Sequence, residues 1–110
     1  MTIKKDEKGQ PFRIGTGFDM SGSTSLTIKF TKPDGTELTV TNPDVTAPAT
    51  PLVNDPYLGS IPASTYFEYT STGLDFDQAG ENWKACGTYA DASLTLFTGE
   101  VTFTIDESCA

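Results

Sequence analysis

The chain has 110 residues, a net charge of −8 and no histidine, which is one domain's worth of an acidic protein. That charge repels phosphate backbones and anionic lipid heads, so neither nucleic acid nor a membrane surface is expected as a partner. Without an imidazole the commonest general base, the usual partner of a nucleophilic serine and the commonest zinc ligand are all missing, so no enzyme, metal site or cofactor is expected.

Four of the seven basic residues, Lys4, Lys5, Lys8 and Arg13, fall near the start. Residues 1–10 therefore read as a flexible arm, solvated or docked on an acidic neighbour, before a single domain over 11–107. Residues 1–7 lack the apolar core of a secretory signal, and no run approaches the roughly 20 apolar residues of a spanning helix. The chain is expected to be made and kept in a cytoplasm, with both cysteines starting out reduced.

The periodicity along the chain is two, not 3.6. Phe12, Ile14 and Phe18 give a loose first example, and Met20-Ser21-Gly22-Ser23 is a turn. Leu26, Ile28 and Phe30 then alternate with Thr27, Lys29 and Thr31. Lys32-Pro33-Asp34-Gly35-Thr36 is hairpin chemistry, because proline presets φ and Asp-Gly supplies the positive φ that closes the bend. It joins a strand over Ser25–Thr31 to one over Glu37–Thr41.

Residues 42–62 differ in kind. Pro43, Pro48, Pro51, Pro56 and Pro62 remove backbone donors, which argues against a central strand. One short extended piece is expected, around Val53 or over 57–61. Tyr57, Leu58 and Ile61 have two open readings: a cap over one end of the domain, or a docking surface. Tyr66, Phe67 and Tyr69 put rings on both sides of one strand, so part of that strand is expected to face outward. These six residues are the candidate interface.

Asp75 and Asp77 lie on one side of an extended chain, but two carboxylates are far short of the six or more oxygens that calcium takes, and turn capping explains them more simply. Trp83 shares a parity with Ala85, Gly87 and Tyr89 and reads as the core anchor between two sheets. Asp91-Ala92 is a tight-turn candidate before a last strand over 93–105. Within that strand Leu94 and Leu96 have one parity and Val101, Phe103 and Ile105 the other, so a bulge near Thr98-Gly99 or a break into two strands is required. With a tight turn at Asp91-Ala92, paired positions sum to about 183, which sets Cys86 near Phe97 and Cys109 beyond the end of the partner strand. Two free thiols are the expectation. The fold class that follows is all-β, an immunoglobulin-like or Greek-key β-sandwich of about seven strands.

Three stretches carry a resemblance. One runs from Asp19 to Thr36 and holds the Lys32-Pro33-Asp34-Gly35 hairpin. The second runs from Tyr69 to Ala85, with Asp77-Gln78-Ala79-Gly80 as a corner before Trp83. The third is the Thr-rich close from Gly99 to Ile105. Together they resemble the small immunoglobulin-like domains of tailed-bacteriophage virion proteins, such as the N-terminal domain of baseplate upper proteins, over nearly the whole chain. The proline-rich segment 42–62 departs from that pattern.

The resemblance implies a non-catalytic assembly component: tail, baseplate, neck or capsid decoration. Its partners would be other virion proteins and copies of itself, and it would be assembled in a host cytoplasm. The alternative is a host-surface or carbohydrate-binding module, with Tyr57, Tyr66, Tyr69 and Tyr89 stacking on sugar rings.

Overall fold

The computed structural model of the chain describes residues 3–108. Among the described residues there are eleven strands and no helix. In chain order they are β1 (Ile3–Lys4), β2 (Lys8–Gly15), β3 (Ser25–Thr31), β4 (Glu37–Thr41), β5 (Val45–Thr46) and β6 (Leu52–Asp55), followed by β7 (Gly59–Ile61), β8 (Tyr66–Thr72), β9 (Gly80–Ala90), β10 (Thr95–Phe97) and β11 (Val101–Asp106). One sheet has the order β1-β11-β9-β3-β4, with β10 also on β9; a second has the order β2-β8-β5; β6 and β7 form a separate hairpin. Every pairing is antiparallel except β1 with β11.

Alternation decides which sides of the two larger sheets meet. Leu26, Ile28 and Phe30 of β3 and Trp83, Ala85 and Tyr89 of β9 form one buried cluster with Phe12 and Ile14 of β2 and Phe67 and Tyr69 of β8. The result is a β-sandwich-like, two-layer packing. Its centre is aromatic: Phe12 meets Phe30 edge-on at 5.0 Å, Phe76 meets Trp83 at 5.5 Å, and Phe12 lies 4.7 Å from Phe103. Burying each such side chain contributes about 1.5–3 kcal/mol, and each ring pair adds about 0.5–1.5 kcal/mol.

The hairpin between β3 and β4 closes by the chemistry of its turn. Thr36 C=O accepts from Lys32 N–H at 2.8 Å, Asp34 caps Thr36 N–H at 2.9 Å, and Gly35 has φ 89°. That turn also holds the corner before β9. Lys32 pairs with Asp77 at 2.8 Å, Gln78 donates to Asp34 at 2.8 Å, and Trp83 Nε1–H donates to Gln78 C=O at 2.9 Å.

Several expectations need correction. The described part of 1–10 is not a free arm. Ile3 is 1% exposed in the core and β1 pairs with the end of β11. Lys5 N–H donates to Asp106 C=O and Asp6 N–H to Phe76 C=O. A single apolar residue among charges leaves no periodicity to read, yet it is enough to anchor two residues of strand. The turn after β9 is wider than a two-residue bend, because Thr95, not Ser93, lies opposite Ala90. Asp91 organises it by accepting Ser93 and Leu94 N–H, each at 2.7 Å. The phase slip is resolved by a break: β10 ends at Phe97, β11 begins at Val101, and the register along β9 advances by one residue between them. The two packed sheets together hold nine of the strands, more than the seven expected, because β1 and β5 are too short to show in a pattern and the last strand divides into β10 and β11.

Candidate functional site

Each larger sheet has an edge on the same side of the molecule. β2 is an end strand of its sheet, and β1 covers β11 only at Ile105 and Asp106. Residues 101–104 thus have no strand partner on that side among the described residues. Between the two edges lies a groove of about 520 Å³. Ile3, Pro11, Val101 and Phe103 supply its apolar surface, while Gln10, Thr102 and Thr104 add polar groups. Pro11 fits here because an edge strand tolerates a missing donor.

The loop Asp55-Pro56-Tyr57-Leu58 closes one end of the groove. Its shape comes from Asp55, whose Oδ1 accepts the N–H groups of Tyr57 and Leu58, both at 2.9 Å. Arg13 ties the loop to the sheet by donating from Nε to Glu68 at 2.7 Å and reaching Asp55 with Nη1 at 3.3 Å. The backbone donors of Leu58 and Tyr57, with a smaller share from Arg13, hold the Asp55 carboxyl below the usual carboxylate range.

The structure divides the six candidate interface residues. Tyr57 is 60% exposed and Leu58 is half-buried, and both line the groove. Ile61 packs with Leu58 over Gly15, where an added Cβ would stand 3.9 Å from each. Tyr66, Phe67 and Tyr69 are buried and offer no surface to a partner. Phe67 and Tyr69 face Ile14 and Phe12 across the pair with β2 and join the core. Tyr66 stands on the opposite side of β8, and the proline-rich segment covers it: its hydroxyl donates to Thr50 C=O at 2.8 Å. Segment 42–62 thus covers one side of β8 and walls the groove. It also contributes β5 to a sheet.

The remaining candidates have structural partners. Trp83 is fully buried. Asp75 accepts from the Tyr69 hydroxyl and from the N–H groups of Thr72 and Phe76, whereas Asp77 faces Lys32. The two carboxylates therefore serve different neighbours. Burial first, then the Asp75 hydrogen bond, pushes the Tyr69 phenol well above its ordinary pKa. Tyr89 is also buried and donates to Asp91, so of the four tyrosines only Tyr57 presents an exposed ring for stacking. Cys86 is a free thiol near Thr98 C=O; Cys109 lies outside the described residues.

An apolar floor between two open backbone edges suits an extended polypeptide, which hydrogen-bonds along an edge while its side chains enter the groove. The sequence reading did not place this groove. Pro11 and the break after Phe97 were its only local traces. The chain matches no family model, no curated protein and no solved structure.

Proposed function

We propose that this chain is a non-catalytic assembly module of a bacteriophage virion, built as an immunoglobulin-like Greek-key sandwich. Strand connectivity supports the fold part of the reading. Lettered in chain order after β1, strands β2, β5 and β8 take the places of B, D and E in one sheet, and β3, β4, β9 and β11 take those of C, C′, F and G in the other. The links β2–β3, β4–β5 and β8–β9 cross between sheets, as that arrangement requires.

The observation that carries the assembly reading is the groove between the two open edges, walled by the proline-rich loop. Open edges are liabilities unless something covers them, and a neighbouring virion subunit is a fitting cover. The acidic charge agrees with a protein partner rather than DNA. Quantitative mass spectrometry of purified particles from the encoding phage tests the proposal. A fixed copy number per particle is expected: hundreds for capsid decoration or tail tube, a small multiple of the symmetry for neck, baseplate or fibre. Absence from particles would overturn it.

A second reading, a host-surface carbohydrate module, rests on Tyr57 at the groove's lip beside Arg13 and Gln10. Glycan binding that is lost in Tyr57→Ala would favour it.

A further inference from the structure

β10 and the residue before it carry apolar surface that nothing else in the described chain covers. Leu94 is 54% exposed, Leu96 37% and Phe97 69%. Leu96 lies opposite Tyr89, so its side chain stands on the core-facing side of its sheet, yet it remains open to solvent. The backbone is open as well. Thr98 N–H donates to Gly87 C=O and Leu94 C=O accepts from Asp91 N–H, both at 2.9 Å. By antiparallel alternation residues 94, 96 and 98 turn their polar groups toward β9, while Thr95 and Phe97 turn theirs away. β10 has no strand on that outer side among the described residues.

We propose that two copies of this chain join through this edge, β10 against β10, about a two-fold axis at Leu96. In that register Thr95 of one copy faces Phe97 of the other as a hydrogen-bonded pair, using the polar groups left open. Leu96 faces Leu96 as a non-hydrogen-bonded pair, where side chains come closest. The local charge suits a second copy of this acidic chain. Residues 92–99 contain no Asp, Glu, Lys or Arg, although the whole chain carries −8. The nearest acids, Asp91 and Glu100, lie outside β10, and Asp91 is held in the preceding turn, where its carboxylate accepts Ser93 and Leu94 N–H. A basic partner would find no carboxylate within this run, whereas two repelling acidic chains meet here without like charges in register. The contact is isologous and therefore closes at two copies. With so short a strand the dimer is expected to be weak and concentration-dependent.

The inference deepens the assembly reading and rests on it for the presence of many copies. Its test is sedimentation equilibrium of the full chain over a wide concentration range. The average mass should rise toward twice the monomer's, and Phe97→Lys should return it to monomer with an unchanged melting temperature at concentrations where the parent is monomeric, because that side chain is exposed. In a Cys86→Ser, Cys109→Ser background, Leu96→Cys should cross-link two copies under mild oxidation, and Thr39→Cys on β4 should not. A monomer at every concentration, or a dimer indifferent to Phe97→Lys, overturns the self-pairing. Either result leaves the particle measurement untouched, so failure of this contact and failure of the virion reading are told apart.

Discussion

Gly87 lies against the Phe67 ring: a Cβ placed on this glycine would stand 2.8 Å from its nearest carbon. The contact joins β9 of one sheet to β8 of the other, and the ring is fully buried, so it has no room to retreat. Gly87→Ala is expected to destabilise the fold by about 1–3 kcal/mol through overpacking. Gly99→Ala, where nothing lies within 4 Å, should stay within about 0.5 kcal/mol of the parent. Urea unfolding followed by the fluorescence of Trp83 measures both.

The Tyr69 phenol gives alkaline stability a definite sign. In the unfolded chain a tyrosine ionises near pH 10. Burial and Asp75 keep the folded form protonated above that. The unfolded state therefore loses its proton first, and stability is full below about pH 10 and declines as pH rises beyond it. Tyr69→Phe should reduce that decline without abolishing it, because Tyr66 and Tyr89 are also raised. At neutral pH the same change should cost about 1–3 kcal/mol, since Asp75 loses a donor in a buried site. Unfolding curves between pH 7 and 11 check both parts.

Asp55 predicts the opposite limb. Its pKa is depressed, so its contribution is present above the unfolded value near 4 and is lost as pH falls through the lower folded value. Acid should loosen the groove's wall before the core. At neutral pH Asp55→Ala should raise amide exchange and proteolytic cutting at Tyr57 and Leu58, with a global cost of only about 0.5–1.5 kcal/mol. Exchange in the loop equal to that of the parent would contradict the anchoring role.

Asn42 ties three strands together from a position just outside them. Its Oδ1 accepts Leu26 N–H, and its Nδ2 donates to Val45 C=O at 3.0 Å. Asn42→Ala should cost about 1–3 kcal/mol by leaving Leu26 N–H unpaired. The loss should appear as faster exchange of that amide.

The central hairpin was legible because every signal for it is local. Alternation over Ser25–Thr31 and Glu37–Thr41 matches β3 and β4, and Pro33-Asp34-Gly35 closes the turn between them. The faces of β9 were legible for the same reason, since parity is a property of one strand. The outward face of β8 was not. Tyr66 is covered by Thr50, sixteen residues earlier in sequence, and no local pattern reports what a distant segment will lie upon. β1 escaped because two residues are too few to display a period, and β10 was legible only as part of a last strand over 93–105.

By itself, then, the sequence determined an acidic, all-β chain with a turn-directed hairpin, because composition, alternation and turn chemistry act within a few residues. Only the tertiary structure decided where the candidate site lies. An edge is defined by the absence of a neighbour, and a groove by two edges brought side by side. Both depend on how β2 and β11, far apart in the chain, close on Phe12 and Phe103.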